Sequence, residues 1–134
     1  MTAAFVDTSG FYAFLDGTDT FHAVARDLFL RAQRESWELL TTNYVVHETW
    51  AVVQARLGWE AVDAWRDVLL PRCAIAWVTP ELHALGEARC RQARERRLSL
   101  TDCVSIEFMR QRGLSLAIAD DEHFAREGFT AHVR

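Results

Sequence analysis

The sequence predicts an α/β protein, a three-layer α/β/α unit around a central, mostly parallel sheet of four to five strands. Three observations carry that prediction. Short apolar runs of strand length alternate with longer segments of helical periodicity, the pattern of a parallel sheet covered on both faces. The chain has 134 residues, half of them hydrophobic, enough for one core and too few for two. Four acidic residues, Asp7, Glu48, Asp102 and Asp121, each stand beside a break in an apolar run, and the carboxyl ends of strands are where open α/β sheets bind ligands. No internal repeat, linker or low-complexity stretch interrupts the chain, so residues 1–134 read as a single domain.

The elements follow in order. Ala3 to Val6 reads as a short buried strand, and Ser9 to Leu15 carries helical apolar spacing up to Asp16-Gly17. Phe21, Val24, Ala25, Leu28 and Phe29 fall on one face of a helix from about Thr20 to Glu35. Leu39 to Thr41 is a second strand. Thr42 or Asn43 then caps a helix that runs to Leu57 before Gly58. Trp59 to Leu70 forms another helix, with Pro71 as its stop. Ala74 to Val78 is a third strand, and Pro80 occupies the favoured first-turn position of the helix that follows. A helix from Thr101 to Arg112 ends at Gly113. Leu116 to Ala119 is a fourth strand, and Ala131 to Val133 a fifth at the edge.

Composition narrows the chemistry. The net charge is −4, and all fifteen basic residues are arginine. Codon bias in a GC-rich genome is the plain explanation, but the absence of lysine also excludes a Walker A lysine, Schiff-base chemistry and a lysine general base. A receiver domain also sets acids at strand ends, but it needs a lysine in the same pocket. Cys73, Cys90 and Cys103 are an odd number without CxxC spacing, so buried free thiols in a reducing cytosol are expected rather than disulfides or structural zinc. No apolar run approaches the roughly 20 residues of a membrane span. The start of the chain shows neither a basic n-region nor an h-region, so a cytoplasmic protein is expected. Arginines concentrate between Arg89 and Arg97. They suit a helix C-terminus, and their forked donors equally suit a polyanion.

On this framework the acids converge. Asp7 stands at the exit of the first strand, Asp121 just past the fourth, Asp102 in a first helical turn and Glu48 in a second. Clustered carboxylates repel one another, and an oxygen-only ligand set suits Mg²⁺ or Mn²⁺ rather than zinc. Mg²⁺ retains waters, one of which can attack a phosphodiester. Each residue has a structural alternative. Asp7-Thr8-Ser9 reads equally as a capped turn, Asp102 as an acid favoured by the helix dipole, and Asp120-Asp121 as a solvated loop. Asp16 and Asp19 shape the loop after the first helix, and His47, His83 and His132 read as surface or packing residues.

Four stretches then carry a resemblance: Phe5 to Ala13 with Asp19 and His22 downstream, Leu40 to Thr49, Leu100 to Ser105, and Asp121 to Phe124 running on to Gly128-Phe129. Together and in this order they resemble the PIN-domain family, and more narrowly the VapC-type ribonuclease toxins of toxin–antitoxin pairs. The resemblance implies an α/β/α fold, metal-dependent cleavage of RNA with Mg²⁺ (Mn²⁺ as substitute), a homodimer, and inhibition by a small antitoxin. Asp7, Glu48 and Asp102 match the family's first three acids, and Asp121, three residues before Phe124, matches the fourth. The family usually has Thr or Ser where this chain has Ala119, and Asp120 is an alternative fourth ligand. Thr8, Ser9 and Ser105 would orient carboxylates or the attacking water. Arg94, Arg96 and Arg97 would contact RNA. Trp50, Val53, Ala61, Val62, Trp65, Val68 and Leu69 offer either core packing or a groove for an antitoxin segment. Two other functions fit the same residues: an RNA-processing nuclease without an antitoxin, and a non-catalytic binding module.

Overall fold

The computed structural model describes residues 2–131. Five strands form one sheet in the order β3-β2-β1-β4-β5, every pair parallel. They are β1 (Ala3–Val6), β2 (Glu38–Thr42), β3 (Cys73–Ala76), β4 (Leu116–Ile118) and β5 (Thr130–Ala131). The helices are α1 (Thr8–Leu15), α2 (His22–Arg34), α3 (Asn43–Arg56), α4 (Trp59–Ala64), α5 (Pro80–Ala93), α6 (Leu100–Arg112) and α7 (Glu122–Arg126). Steps from β1 to β2 and from β2 to β3 run one way along the sheet; those from β3 to β4 and from β4 to β5 run the other way. Right-handed crossovers therefore place α1–α4 on one face and α5–α7 on the opposite one. The packing agrees: α1 contacts α2 and α3, α3 contacts α4, and α5 lies along α6.

The central strand is buried on both faces, and aromatic rings fill both layers. Phe5 in β1 meets Phe108 at 5.7 Å and Phe124 at 6.2 Å between ring centroids, while Phe11 of α1 meets Phe29 at 6.1 Å and Trp65 at 5.8 Å. Two glycines permit close approach. A Cβ on Gly10 would lie 2.3 Å from the Ile118 carbonyl oxygen, so α1 rests directly on β4. A Cβ on Gly86 would lie 2.4 Å from Val104 Cγ2, which brings α5 equally close to α6.

Several boundaries differ from the sequence reading, each for a local reason. The segment expected as one helix from Trp59 to Leu70 is α4, then a π-helical stretch Trp65–Leu69, then a 3₁₀ turn Leu70–Arg72. The Leu70 N–H reaches back to the Trp65 carbonyl, and Pro71 sits at the start of the 3₁₀ turn, where no N–H is required. Pro71 thus opens a tight turn rather than stopping a helix. The α2 helix begins at His22 rather than Thr20 because Asp19 Oδ1 accepts the Phe21 N–H at 2.8 Å. Thr42 caps α3, and Asn43 Oδ1 takes the Val78 N–H at 2.7 Å, which shortens β3 to Ala76. The fifth strand is Thr130–Ala131; Val133 and His132 lie outside the described residues. Of the residues read as either core packing or a groove, Val53, Val62, Trp65 and Leu69 are core residues at most 3% exposed. The thiols are free, but only Cys103 is buried; Cys73 and Cys90 are half-buried.

Candidate active site

The strand order reverses direction between β1 and β4, which pair with Val6 opposite Ile118. Such a reversal leaves a crevice at the carboxyl ends of the two strands. Asp7 leaves β1 and the Asp120-Asp121 pair follows β4, so both enter the crevice by continuation of their strands. Asp102 arrives from the first turn of α6 and Glu48 from α3. All five carboxylates line one cavity of ≈ 440 Å³, together with Thr8, Ser9, Tyr12, Asp19, Arg56, Arg97 and Ser99.

Each acid is held by a local device. Asp7 is the N-cap of α1 and 3% exposed. Its Oδ2 accepts the Ser9 N–H at 3.3 Å and the Ser9 hydroxyl at 2.8 Å, while Oδ1 is buried with no hydrogen-bond partner among the described residues. Asp102 forms a reciprocal capping box with Ser99: the Ser99 N–H donates to Asp102 Oδ2, and the Asp102 N–H to Ser99 Oγ, both at 3.0 Å. Asp121 caps α7, with Oδ1 accepting the His123 N–H at 2.8 Å and His123 Nδ1 lying 2.7 Å from the same oxygen. Glu48 is half-buried on the cavity wall.

Crowding and burial oppose negative charge here. Burial, helped by the charges of Asp102, Asp121 and Glu48 and opposed by the Ser9 hydrogen bond, raises the Asp7 carboxyl to about 7. Burial raises Asp102 to about 6, opposed by the Ser99 N–H and reinforced by Asp121 and Glu48. An unpartnered carboxylate oxygen among like charges is costly unless a cation or a proton compensates it. Ligand atoms of Asp102, Asp121 and His123 all lie within 4.8 Å of one another. The residues present therefore fit a divalent cation, with oxygen donors dominating.

The other predicted residues fall out unevenly. Thr8 lies on the cavity wall, and its hydroxyl accepts from Thr49 Oγ1 at 3.1 Å, tying α1 to α3. Ser105 is fully buried, and its Oγ has no partner among the described residues. Of the three arginines expected to contact RNA, Arg97 lines the cavity, whereas Arg94 ends α5 in a left-handed conformation and Arg96 is exposed away from the cavity. Ala119 is fully buried behind the acids and carries no hydroxyl toward them. Sequence reasoning passed over Arg56, Tyr12 and Ser99, and placed His123 in a family-like stretch without assigning it as a ligand. The Ser-x-x-Asp spacing before an apolar run was a readable signal for Ser99; Arg56 and Tyr12 gave none, because only the packing of α1 on α3 brings them to the acids.

A PIN domain family model matches residues 4–129, nearly the whole chain. The chain belongs to the PIN-domain family. Over 126 residues this PIN domain is 30% identical to the 23S rRNA-specific endonuclease VapC20 of Mycobacterium tuberculosis, covering 93% of this chain and 94% of that protein. The crystal structure of M. tuberculosis VapC20, described as a sarcin–ricin loop cleaving toxin, superposes with a TM-score of 0.83 over 95% of this chain and 96% of that one. Rickettsia felis VapBC2, solved bound to a DNA fragment from its promoter, shares the fold at a TM-score of 0.69 and 12% identity, over 98% of both chains. The acid crevice of this PIN domain is therefore the place to look for its chemistry.

Proposed function

We propose that the chain is a Mg²⁺-dependent endoribonuclease of the VapC toxin type, hydrolysing phosphodiester bonds in RNA. The observation that carries this is the buried, unpartnered Asp7 Oδ1 at a PIN-domain crevice that Glu48, Asp102 and Asp121 also line. Asp7, Glu48, Asp102 and Asp121 would hold the cation, directly or through water, with Asp120 and His123 beside them. When bound, a hard divalent cation neutralises charge on the scissile phosphate and lowers the pKa of a coordinated water. Mn²⁺ is the expected substitute.

The protein's own contribution is orientation. Ser9 fixes Asp7, Ser99 fixes Asp102 and the His123 backbone N–H fixes Asp121, so three carboxylates keep their rotamers without substrate. Glu48 or Asp102 positions the attacking water. Arg97, on the cavity wall in the segment between α5 and α6, offers a phosphate contact. VapC20 makes ribosomal RNA the first substrate to try. The decisive experiment is cleavage of ribosomal RNA with Mg²⁺, Mn²⁺ or EDTA beside the Asp7→Asn variant. Normal Mg²⁺-dependent cleavage by that variant would overturn the assignment.

The toxin reading adds a small antitoxin and a homodimer. Trp59 and Val68 remain 57% and 63% exposed beside half-buried Trp50, whose ring meets Trp59 edge-on at 5.9 Å. Trp50, Ala61 and Val68 are what remains accessible of the expected surface, and together with Trp59 they are proposed as the antitoxin contact. Co-expression with the product of a neighbouring small gene tests it, and light scattering tests the dimer. Among the described residues no helix is long and apolar enough to cross a membrane, and the free thiols suit a reducing cytosol.

A further inference from the structure

Six carboxylates line the acid cavity, from Asp7, Asp19, Glu48, Asp102, Asp120 and Asp121, against two cations, Arg56 and Arg97. One divalent ion does not balance that set, and an incoming RNA strand adds a negative charge at every phosphate. Affinity for the strand must come from cations on the walls. Arg97 sits between α5 and α6. Arg56 is in the last turn of α3, on the side of the cavity formed by α1 and α3.

A cation in a last helical turn is favoured by the helix dipole alone, which is the plain reading of Arg56. Its side chain is placed more specifically than that reading requires. The guanidinium lies 5.7 Å from the centroid of the Tyr12 ring, and Tyr12 lines the same cavity. The Tyr12 hydroxyl donates to Asp16 Oδ2 at 3.0 Å, and Asp16 Oδ1 is held by the Thr18 N–H at 2.9 Å and the Thr18 hydroxyl at 2.7 Å. A chain of contacts from Thr18 through Asp16 and Tyr12 thus fixes the ring on which Arg56 rests. Ion pairs among the described residues engage Arg26, Arg31, Arg89, Arg110 and Arg126; Arg56 and Arg97 are not among them. An arginine stacked on an aromatic face keeps its outward N–H donors available for phosphate and loses less freedom on binding.

We propose that Arg56, laid on the Tyr12 ring, is a phosphate-binding residue of the RNA track, contacting the strand on the α1–α3 side of the scissile phosphate while Arg97 contacts it on the α5–α6 side. This deepens the ribonuclease reading and rests on it. Tyr12 is a positioning residue: it holds the guanidinium and does not itself read the RNA.

The test measures binding of a short labelled single-stranded RNA to the folded protein in the Asp7→Asn background, across a salt series. Arg56→Gln weakens binding about 10-fold and flattens the slope of log affinity against log salt by about 0.7, the increment for one phosphate contact on a single strand. Arg56→Lys keeps the charge and recovers most of the slope. Tyr12→Leu weakens binding and Tyr12→Phe weakens it less, because phenylalanine keeps the ring under the guanidinium and loses only the hydroxyl contact with it. Arg66→Gln, an exposed arginine outside the cavity, changes nothing. In the cleavage-competent protein Arg56→Gln raises KM and leaves kcat nearly intact. Arg56→Gln with unchanged affinity and salt slope overturns the proposal, and Tyr12→Leu with wild-type binding overturns the positioning role. Failure of the ribonuclease reading looks different: the unsubstituted protein cleaves no RNA in Mg²⁺, while the Arg56-dependent salt slope persists.

Discussion

Ser9 Oγ accepts a 3.0 Å hydrogen bond from the backbone N–H of Asp120, across 111 residues of sequence. The same hydroxyl donates to Asp7 Oδ2 at 2.8 Å. One oxygen therefore joins the exits of β1 and β4 and sets the spacing between the first acid and the last two. Ser9→Ala removes both bonds while leaving the Asp7 cap on α1 its N–H partner. Loss of a group that orients a metal ligand costs about 10- to 100-fold. The expected outcome is that drop in Mg²⁺-dependent cleavage with less than about 1 kcal/mol lost in urea unfolding, and with partial recovery in Ser9→Thr. Full activity in Ser9→Ala would show that the two strand exits need no tie.

The raised carboxyls make stability depend on pH in the metal-free protein. Asp7 moves from 3.8 to about 7 and Asp102 from 3.8 to about 6, so between about pH 4 and pH 7 the folded state holds more protons than the unfolded one. Stability from these groups is complete below the unfolded value and is lost as pH rises through the folded values. In EDTA, unfolding free energy should fall from pH 5 to pH 8. Asp7→Asn, which keeps the capping geometry without the charge, should gain on the order of 3 kcal/mol at pH 8 relative to the parent and show a flatter profile. Divalent metal should restore the parent at pH 8 and do less for the variant. An identical slope in both proteins would mean that Asp7 is not the group that titrates.

The same crevice depends on a glycine. The Ile118 carbonyl that a Gly10 Cβ would meet at 2.3 Å also accepts the Asp7 N–H at 3.2 Å. Gly10→Ala must push α1 off β4 or displace that carbonyl, and either movement shifts Asp7. Overpacking of this kind costs about 1 to 3 kcal/mol, and activity should fall further than stability does. Gly86→Ala presses on Val104 Cγ2 at 2.4 Å and on Val104 Cα and N at 3.2 Å. It should destabilise by a comparable amount, and it touches α6 at Val104, two residues from Asp102. Chemical denaturation with cleavage assays on both variants compares the two effects.

The parallel α/β layout and the placing of the acids at one edge of the sheet were legible because both follow from periodicity and from residues at the ends of apolar runs, whereas the strand order was not. Asp7 and Asp121 continue directly from β1 and β4, so locating the strands located the acids. What the sequence did not disclose came from packing between distant elements. Pro71 looked like a helix stop, yet the stretch before it is π-helical, with Trp65 and Leu69 buried in the core. Val53 and Val62 read as either core or groove because a helix pair read alone gives no view of the layer beneath it, and both are core. Arg56 and Tyr12 share a cavity only through the contact of α1 with α3. The basic run from Arg89 to Arg97 read as one patch, but Arg89 is engaged by Glu107 at 3.1 Å and Glu127 at 3.0 Å, leaving Arg97 alone of that run on the acid cavity.

The choice between Asp120 and Asp121 as fourth acid now has a physical basis. The Asp121 charge contributes to the raised carboxyls of both Asp7 and Asp102, and its oxygen groups with Asp102 and His123 within 4.8 Å. Asp120 lines the same cavity and its N–H donates to Ser9 Oγ, but it is not in the group that Asp102, Asp121 and His123 form. Asp121→Asn should therefore lower kcat by about 100-fold or more and weaken Mn²⁺ binding in calorimetry, while Asp120→Asn should cost less than about 10-fold. Asp121→Asn should also lower the pH at which Asp7 titrates, by removing one of the charges that oppose its ionisation. Asp120→Asn as damaging as Asp121→Asn would make the two aspartates a shared ligand pair.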